Sequence, residues 1–322
     1  MKDDHKRRFN FMHLNNYRPE GSVISLPENR EYLLSEQGIQ KAITEGVILE
    51  GMAIRCDSDY RLTVDLGGYK GYIFKEDVQY SPTDEETRDI AVITRVGKAV
   101  CFKIVGFFND KGKRAIKLSR REAQREFYEN RICDMIPGDI LEAKITHLES
   151  FGAFVDIGCG IISLLSIDCI SVSRISHPSD RFNVGDRIKV AIKSIDRDNG
   201  RICVTHKELL GTWKENAELF SVGQTVAGVV RSVEEYGIFV ELTPNLAGLA
   251  EYREDISVGQ TTAVYIKNII PERMKLKLVI IDAYKGENEP KRHIEGFDDD
   301  TIHIDSWKYS PDECVRIIQT VF

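Results

Sequence analysis

The amino-acid sequence predicts an all-β chain of three tandem five-stranded antiparallel barrels, joined by short helices. A layout of five short strands occurs three times, within residues 46–122, 137–210 and 221–282. Turn signals separate these strands, such as Asn199-Gly200 in the middle copy. Between the copies the hydrophobic period becomes helical. A small closed barrel fits five short strands because closure leaves few free edges.

The middle copy, residues 137–210, shows the strand pattern most clearly. Leu141, Ala143 and Ile145 alternate with polar residues, which predicts a first strand with one buried face. Residues 151–157 and 161–167 predict the second and third strands. Two further alternating segments follow a longer polar connection and meet at the Asn-Gly hairpin signal. The copy at 46–122 is more divergent, and the copy at 221–282 has a shorter third connection.

Helical spacing predicts the segments that join and flank the barrels. Residues 119–136 and 207–220 have apolar residues near helical spacing among strong helix formers, so we expect short helical spacers there. The N-terminal extension, 1–45, predicts two helices at 28–35 and 36–44. The C-terminal extension, 283–322, contains Ser310-Pro311-Asp312, a helix-start signature with proline in the first turn. Both extensions are therefore predicted to be helical.

Composition limits the class of protein. The chain has 322 residues, 42% hydrophobic and 30% charged, and a formal net charge of −7. This acidity counts mildly against nucleic-acid binding, although the local field over a groove matters more than the sum. The seven cysteines form no CxxC pair, so we expect reduced thiols in a cytoplasmic protein rather than disulfides or a zinc ribbon. We expect no signal peptide and no membrane span.

The middle copy resembles the S1 RNA-binding domain, an OB-fold domain of the bacterial ribosomal protein S1 family. The matching residues are Gly138-Asp139, Phe151-Gly152-Ala153-Phe154-Val155-Asp156, His177-Pro178, Val184-Gly185-Asp186 and Gly200-Arg201. The third copy is similar through Tyr236-Gly237-Ile238-Phe239-Val240 and Gly248-Leu249, and the first through Val64-Asp65-Leu66-Gly67-Gly68 and Leu118-Ser119-Arg120-Arg121. The resemblance implies three S1-type barrels that bind single-stranded RNA. It further implies a role in holding mRNA during translation, with 30S ribosomal subunit proteins as further partners.

The resemblance also implies which side chains contact RNA. Two aromatic residues on the second strand stack on bases, and an acidic–basic pair lies on the last hairpin. These roles fall on Phe151, Phe154, Asp196, Arg201, Tyr236, Phe239, Lys275 and Tyr60. The residues themselves leave alternatives open, since an aromatic ring can belong to the barrel core, Asp196 can be a turn residue, and Arg201 can be a solvated edge charge.

Several positions depart from the family pattern. The family usually has a histidine on the third strand, where this chain has Ser166 in the second copy, Glu251 in the third and Phe74 in the first. Thr63 replaces the second aromatic residue of the first copy. The first copy is therefore predicted to bind RNA weakly or to bind proteins. Binding by the third depends on cations such as Arg231, Lys267 and Lys275.

No motif predicts catalysis, a metal or a cofactor. Gly158-Cys159-Gly160 is a fragment of a phosphate loop without the following helix, and the histidines and cysteines lack metal-ligand spacing. The repeats occupy most of the chain and leave no room for a nuclease core. We therefore expect a protein without enzymatic activity. The alternative to RNA binding is an adaptor whose barrels bind the ribosome or an RNA-processing enzyme.

Overall fold

Fifteen of the strands in the described part of the chain form three closed five-stranded sheets. The computed structural model describes residues 17–83, 85–284 and 301–322. The first barrel consists of β1 (Leu49–Cys56), β2 (Leu62–Asp65), β3 (Lys70–Ile73), β4 (Ala99–Asp110) and β5 (Lys113–Ser119). The second consists of β6 (Ile140–Glu149), β7 (Gly152–Asp156), β8 (Ile162–Ser166), β9 (Arg187–Asp196) and β10 (Arg201–Thr205). The third consists of β11 (Thr225–Glu234), β12 (Gly237–Thr243), β13 (Leu246–Ala250), β14 (Thr261–Ile270) and β15 (Lys275–Tyr284).

Each barrel contains one parallel pair of strands, so the prediction of purely antiparallel barrels is wrong. β3 is parallel to β5, β8 to β10, and β13 to β15, whereas the other pairs are antiparallel. The reason is the strand order, in which the fifth strand lies between the third and the fourth. The fourth strand runs opposite to the third, and the hairpin makes the fifth strand run opposite to the fourth. The fifth strand is therefore parallel to the third. Alternation in the sequence identifies strands but does not give this order.

Strand alternation fills each barrel with its own core. In the second barrel, Ala143 and Ile145 of β6 and Ala153 and Val155 of β7 are completely buried. Because successive side chains of a strand point to opposite faces, Phe154 between these two β7 residues points outwards. The packing of small and branched side chains inside therefore determines which β7 residues face solvent.

Five α-helices lie among the described residues. They are α1 (Pro27–Leu33), α2 (Glu36–Glu45), α3 (Asp89–Ile93), α4 (Arg120–Asn130) and α5 (Trp213–Ala217). The first two lie close to the ranges that the sequence predicted. Ser35, Ser119 and Thr212 each accept a backbone N–H bond at the helix start, which satisfies an otherwise unpaired donor. α4 and α5 begin inside the two predicted spacers.

The described part of the C-terminal extension is not helical, so that prediction is wrong. It forms a two-stranded sheet of β16 (Ser306–Lys308) and β17 (Gln319–Val321). Trp307 and Tyr309 are buried in the core of the third barrel, and the Tyr309 hydroxyl donates to the Asn245 carbonyl at 2.6 Å. Burial of two large aromatic side chains outweighs a local helix-start signal, which here gives a turn after Pro311. Residues 1–16 and 285–300 of the predicted extensions lie outside the described residues.

Candidate nucleic-acid interface

Phe151 and Phe154 lie on the outer face of the second barrel, outside its core. Phe154 is half-buried in the middle of β7, and Phe151, just before the strand, is 53% exposed. Their ring centroids are 6.0 Å apart and their planes are nearly perpendicular. Two exposed rings in edge-to-face contact hold each other in place and leave flat faces for stacking.

His147 extends this aromatic surface, and the sequence analysis missed it. The pairing of β6 with β7 shifts at Thr146, so that His147 rather than Thr146 lies opposite Phe154. The two ring centroids are 6.4 Å apart at an interplanar angle of 26°. Strict alternation from the buried Ile145 would point His147 inwards. A β-bulge reverses that direction, and the sequence alone gave no signal for it.

Gly152 allows the close approach of two strands rather than a bulge. A Cβ at this position would lie 2.5 Å from the Leu165 carbonyl oxygen of β8. β7 pairs with β8 without a shift in register from Gly152 to Asp156. In the third barrel, Gly237 has φ of +149° and is equally close to the Ala250 carbonyl. Glycine is needed here because a side chain would separate the strands that present the aromatic residues.

Asp196 and Arg201 face each other across the β9–β10 hairpin but have different roles. The Asp196 carboxylate accepts bonds from the Asn199 backbone N–H at 3.1 Å and from Asn199 Nδ2 at 2.8 Å. These bonds, and the more distant charge of Arg201, lower the pKa of Asp196. Asp196 therefore organises the turn. Arg201 is exposed at the start of β10, directly after the turn, where its guanidinium can contact phosphate.

Strand register arranges these residues along one surface. Phe154 lies opposite Leu164, which lies opposite Cys203, and Arg201 precedes Cys203 by two residues. Phe151 lies directly before the first residue of β7, at the end of this surface opposite to Arg201. The outer face of the second barrel therefore carries exposed aromatic rings at one end and a cation at the other.

The third barrel repeats the aromatic arrangement. Tyr236 is 71% exposed and Phe239 is half-buried, with ring centroids 6.2 Å apart and nearly perpendicular planes. Lys275 is exposed at the start of β15. The expectation that Arg231 adds a cation to this face is wrong, because its Nε donates to the buried Glu241 carboxylate at 3.0 Å.

Tyr60 of the first barrel differs from the aromatic residues at the same place in the other two. It has a left-handed backbone, with φ of 55°. The Lys75 ammonium lies 5.3 Å from its ring centroid and pairs with Asp89 at 2.7 Å. A hydrogen bond with Asp89 raises the pKa of the Tyr60 hydroxyl. One face of this ring is therefore covered by an ion-paired cation.

The aromatic rings on β3 and directly after it in the first barrel are covered in the same way. Arg61 lies 5.0 Å from the ring centroid of Tyr72 and pairs with Asp57 at 3.0 Å. Lys117 lies 5.3 Å from the ring centroid of the adjacent aromatic residue Phe74. Its ammonium pairs with a carboxylate of Asp77 at 3.1 Å. Through these cation–π contacts, each ring and each cation already has a partner within the protein.

The described residues offer no group of three or more His, Cys, Asp or Glu side chains that could hold a metal ion. The longest α-helix described, α4, has 11 residues. In the described ranges, no helix is both long and apolar enough to cross a membrane.

Comparison with known proteins gives one matching family model and several similar proteins. Residues 134–207 match the family model of the S1 RNA binding domain. The chain is 31% identical over 199 residues to the small ribosomal subunit protein bS1 homologue of Bacillus subtilis, which covers 59% of this chain and 50% of that protein. It is 26% identical over 312 residues to the Bacillus cereus homologue, covering 91% of this chain and 76% of the relative.

An enzyme is also among the relatives. The 4-hydroxy-3-methylbut-2-enyl diphosphate reductase of Clostridium tetani is 34% identical over 194 residues, covering 59% of this chain but only 30% of the reductase. The chain therefore spans about half the length of the B. subtilis relative and less than a third of the reductase. The similarity to the reductase concerns a minor part of that enzyme.

Proposed function

We propose that the chain, whose residues 134–207 match the S1 RNA binding domain and which is similar to bS1 proteins, binds single-stranded RNA and has no catalytic site. The observation that carries the proposal is the exposed aromatic surface of Phe151, Phe154 and His147, which lies within the residues that match the S1 RNA binding domain. Exposed rings with a cation nearby suit RNA, whose unpaired bases offer flat faces and whose backbone is charged.

The proposal assigns one S1-type OB-fold domain to each closed barrel, at residues 46–122, 137–210 and 221–282. The barrels share strand order and the parallel pairing of their third and fifth strands, which supports a common fold. The proposed cellular role is to hold mRNA during translation in the cytoplasm, with 30S ribosomal subunit proteins as further partners. Similarity to the bS1 proteins supports this role.

The second barrel is the proposed main RNA site and the third an additional one. Both present two exposed or half-buried aromatic rings on the outer face. In the first barrel, the rings of Tyr60, Tyr72 and Phe74 carry cations from the protein itself. A base would have to displace these cations to stack there. We therefore assign the first barrel at most weak RNA binding.

A second candidate function is that of a protein adaptor. It is favoured for the first barrel, because the aromatic rings of that barrel already contact cations of the protein and are not free for bases. Binding of RNA through phosphates weakens steeply as salt rises, because counterions are released on binding. An apolar protein interface depends much less on salt. Titration of the full chain with RNA and with ribosomal subunits at several salt concentrations separates the two functions.

Fluorescence anisotropy of a labelled single-stranded oligouridylate tests the proposal directly. Phe151→Ala in the full chain is expected to weaken binding by about 1–3 kcal/mol, the usual loss of one base stack. Tyr69→Ala is the matched control, because Tyr69 is an exposed ring of the first barrel with no assigned role. Equal affinities of Phe151→Ala, Tyr69→Ala and the unmodified chain would refute the proposed site.

A further inference from the structure

A row of four side chains crosses the outer face of each barrel at the same register. Each row begins on the first strand immediately after a shift in pairing and passes through the second, third and fifth strands. The rows are Arg55–Thr63–Tyr72–Lys117, His147–Phe154–Leu164–Cys203 and Ser232–Phe239–Leu249–Lys277. The residue on the fifth strand is a lysine in the outer two barrels and a cysteine in the middle one.

Lys277 has the surroundings of a phosphate contact. It is exposed on β15, in register with Leu249 and thus in line with Phe239. Lys275 and Lys267 are exposed beside it on β15 and β14. None of the three lysines has an ion pair with any residue that the structure describes. By contrast, Lys117 at the same register in the first barrel is paired with Asp77.

The spacing suits one nucleotide. Phe239 and Lys277 lie on strands separated by one intervening strand, which is about 10 Å at the usual interval between neighbours. A base that stacks on Phe239 brings its phosphate within reach of the flexible lysine side chain. The acidic side chains on β12 and directly after β13 do not pair with Lys277. Glu241 is already bound by Arg231 and Arg181, and Glu251 is solvated beyond the end of β13.

We propose that Lys277 is the phosphate contact of the third barrel for single-stranded RNA, and that Cys203 leaves the second barrel without the equivalent contact. The inference rests on the proposed function and adds a residue to it. The row then defines the same path for RNA across the second and third barrels. A base stacks on the aromatic residue of the second strand, and its phosphate lies at the fifth strand. In the second barrel, Arg201 supplies a cation two residues before Cys203, at the start of the fifth strand.

The first test is Lys277→Gln in the full chain carrying Phe151→Ala, so that the third barrel dominates RNA binding. We expect roughly a tenfold loss of oligouridylate affinity, as for one hydrogen bond to a charged group. The magnitude of the salt slope should fall by about 0.7, as for one lost contact on a single strand. Lys113→Gln is the control, because Lys113 is an exposed lysine at the start of β5 in the first barrel. A Lys277→Gln chain that matches this control in affinity and slope overturns the proposal.

The reciprocal test is Cys203→Lys in the otherwise unmodified chain, compared with Cys203→Ser. The third barrel already accommodates lysines at both Lys277 and the neighbouring Lys267, so the same arrangement with Lys193 is expected to fit. Tighter RNA binding with a steeper salt slope supports the shared path, and no gain over Cys203→Ser counts against it.

Failure of this inference is distinguishable from failure of the proposed function. If the unmodified chain binds no RNA, both are wrong. If Tyr236→Ala weakens binding while Lys277→Gln does not, the third barrel binds RNA without Lys277, and only the inference is wrong.

Discussion

Arg120 and Glu20 form a buried ion pair that joins residues 100 positions apart in the chain. Arg120 Nε donates to Glu20 Oε1 at 2.6 Å, and the two side chains are only 4% and 9% exposed. Arg120 also donates to the carbonyls of Val78 and Gly160, which belong to the regions of the first and second barrels. Burial alone would raise the pKa of Glu20, but the charge and hydrogen bonds of Arg120 keep it below its usual value. One guanidinium thus fixes the N-terminal segment where the two barrels meet.

Removal of this guanidinium should destabilise the joint between the barrels. Arg120→Met keeps much of the side-chain length but leaves the buried Glu20 carboxylate with only the more distant Arg95 guanidinium, at 3.7 Å. Removal of one partner from a buried ion pair usually costs about 3–5 kcal/mol. Arg114→Met is the matched control, because Arg114 pairs with Glu36 on the surface, where such a pair is worth about 0–1 kcal/mol. Urea denaturation of the full chain measures both. Equal midpoints for the two variants would contradict the assigned role of Arg120.

Asp156 should make this joint more stable at mildly acidic pH. Burial, and then the negative charge of Glu20, raise the pKa of Asp156 from 3.8 to about 7. The folded chain therefore binds a proton that the unfolded chain releases between about pH 4 and 7, so this group's contribution to stability falls as pH rises through that window. The pKa of Glu50 is raised mainly by burial, so its contribution to stability also falls as pH rises.

Asp156→Asn tests this pH dependence. Asparagine can still accept bonds from the N–H groups of Gly158 and Gly160, as Asp156 Oδ1 does at 2.8 and 3.0 Å. The bond from the Glu20 N–H to Oδ2 is lost, so the melting temperature should fall at every pH. The informative readout is the slope of melting temperature against pH from 5 to 8, which should become flatter. An unchanged slope would mean that Asp156 is ionised throughout this range.

The sequence predicted the strands because they depend on local patterns, whereas the RNA-facing role of the aromatic residues was implied by the resemblance to the S1 domain. Phe154 lies outside because its two neighbours in β7 are small and branched residues that fill the core. The pairing of β8 with β10 and the position of His147 were not predictable in the same way. They depend on which strands meet and on a single shift at Thr146, and such shifts have no reliable sequence pattern.

Tertiary contacts explain why the expectations about the charge of Arg231 and about a C-terminal helix were wrong. Arg231 looks like a surface cation in the sequence, but the chain folds so that Glu241 lies beside it. The segment around Pro311 has a local helix-start signature, but Trp307 and Tyr309 pack into the third barrel and hold it as a strand and turn. In both cases a tertiary contact outweighs the local preference.

Arg201 and Phe151 should contribute to RNA binding in ways that salt distinguishes. Arg201→Ala is expected to weaken binding and to reduce the magnitude of the salt slope by about 0.7, as for one phosphate contact on a single strand. Phe151→Ala should weaken binding with little change of slope, because stacking is not ionic. Anisotropy titrations from low to high salt measure both. Since Phe151 is exposed, its variant should melt close to the unmodified chain. A large drop in melting temperature, of a size expected for a core residue, would contradict its position on the surface.

His147 should act as a third ring of the RNA surface. Its ring lies beside Phe154 and its Nε2 is 2.7 Å from Glu149 Oε1, both on the solvent side of the barrel. His147→Ala is expected to weaken oligouridylate binding by about 1 kcal/mol, at the low end for an aromatic contact with a base. His147→Phe restores a ring without the imidazole nitrogens and should recover most of that affinity. Glu149→Gln removes the neighbouring negative charge and should leave binding equal or slightly tighter. If His147→Ala binds RNA as well as the unmodified chain, or if His147→Phe fails to recover the loss, the ring is not a stacking surface.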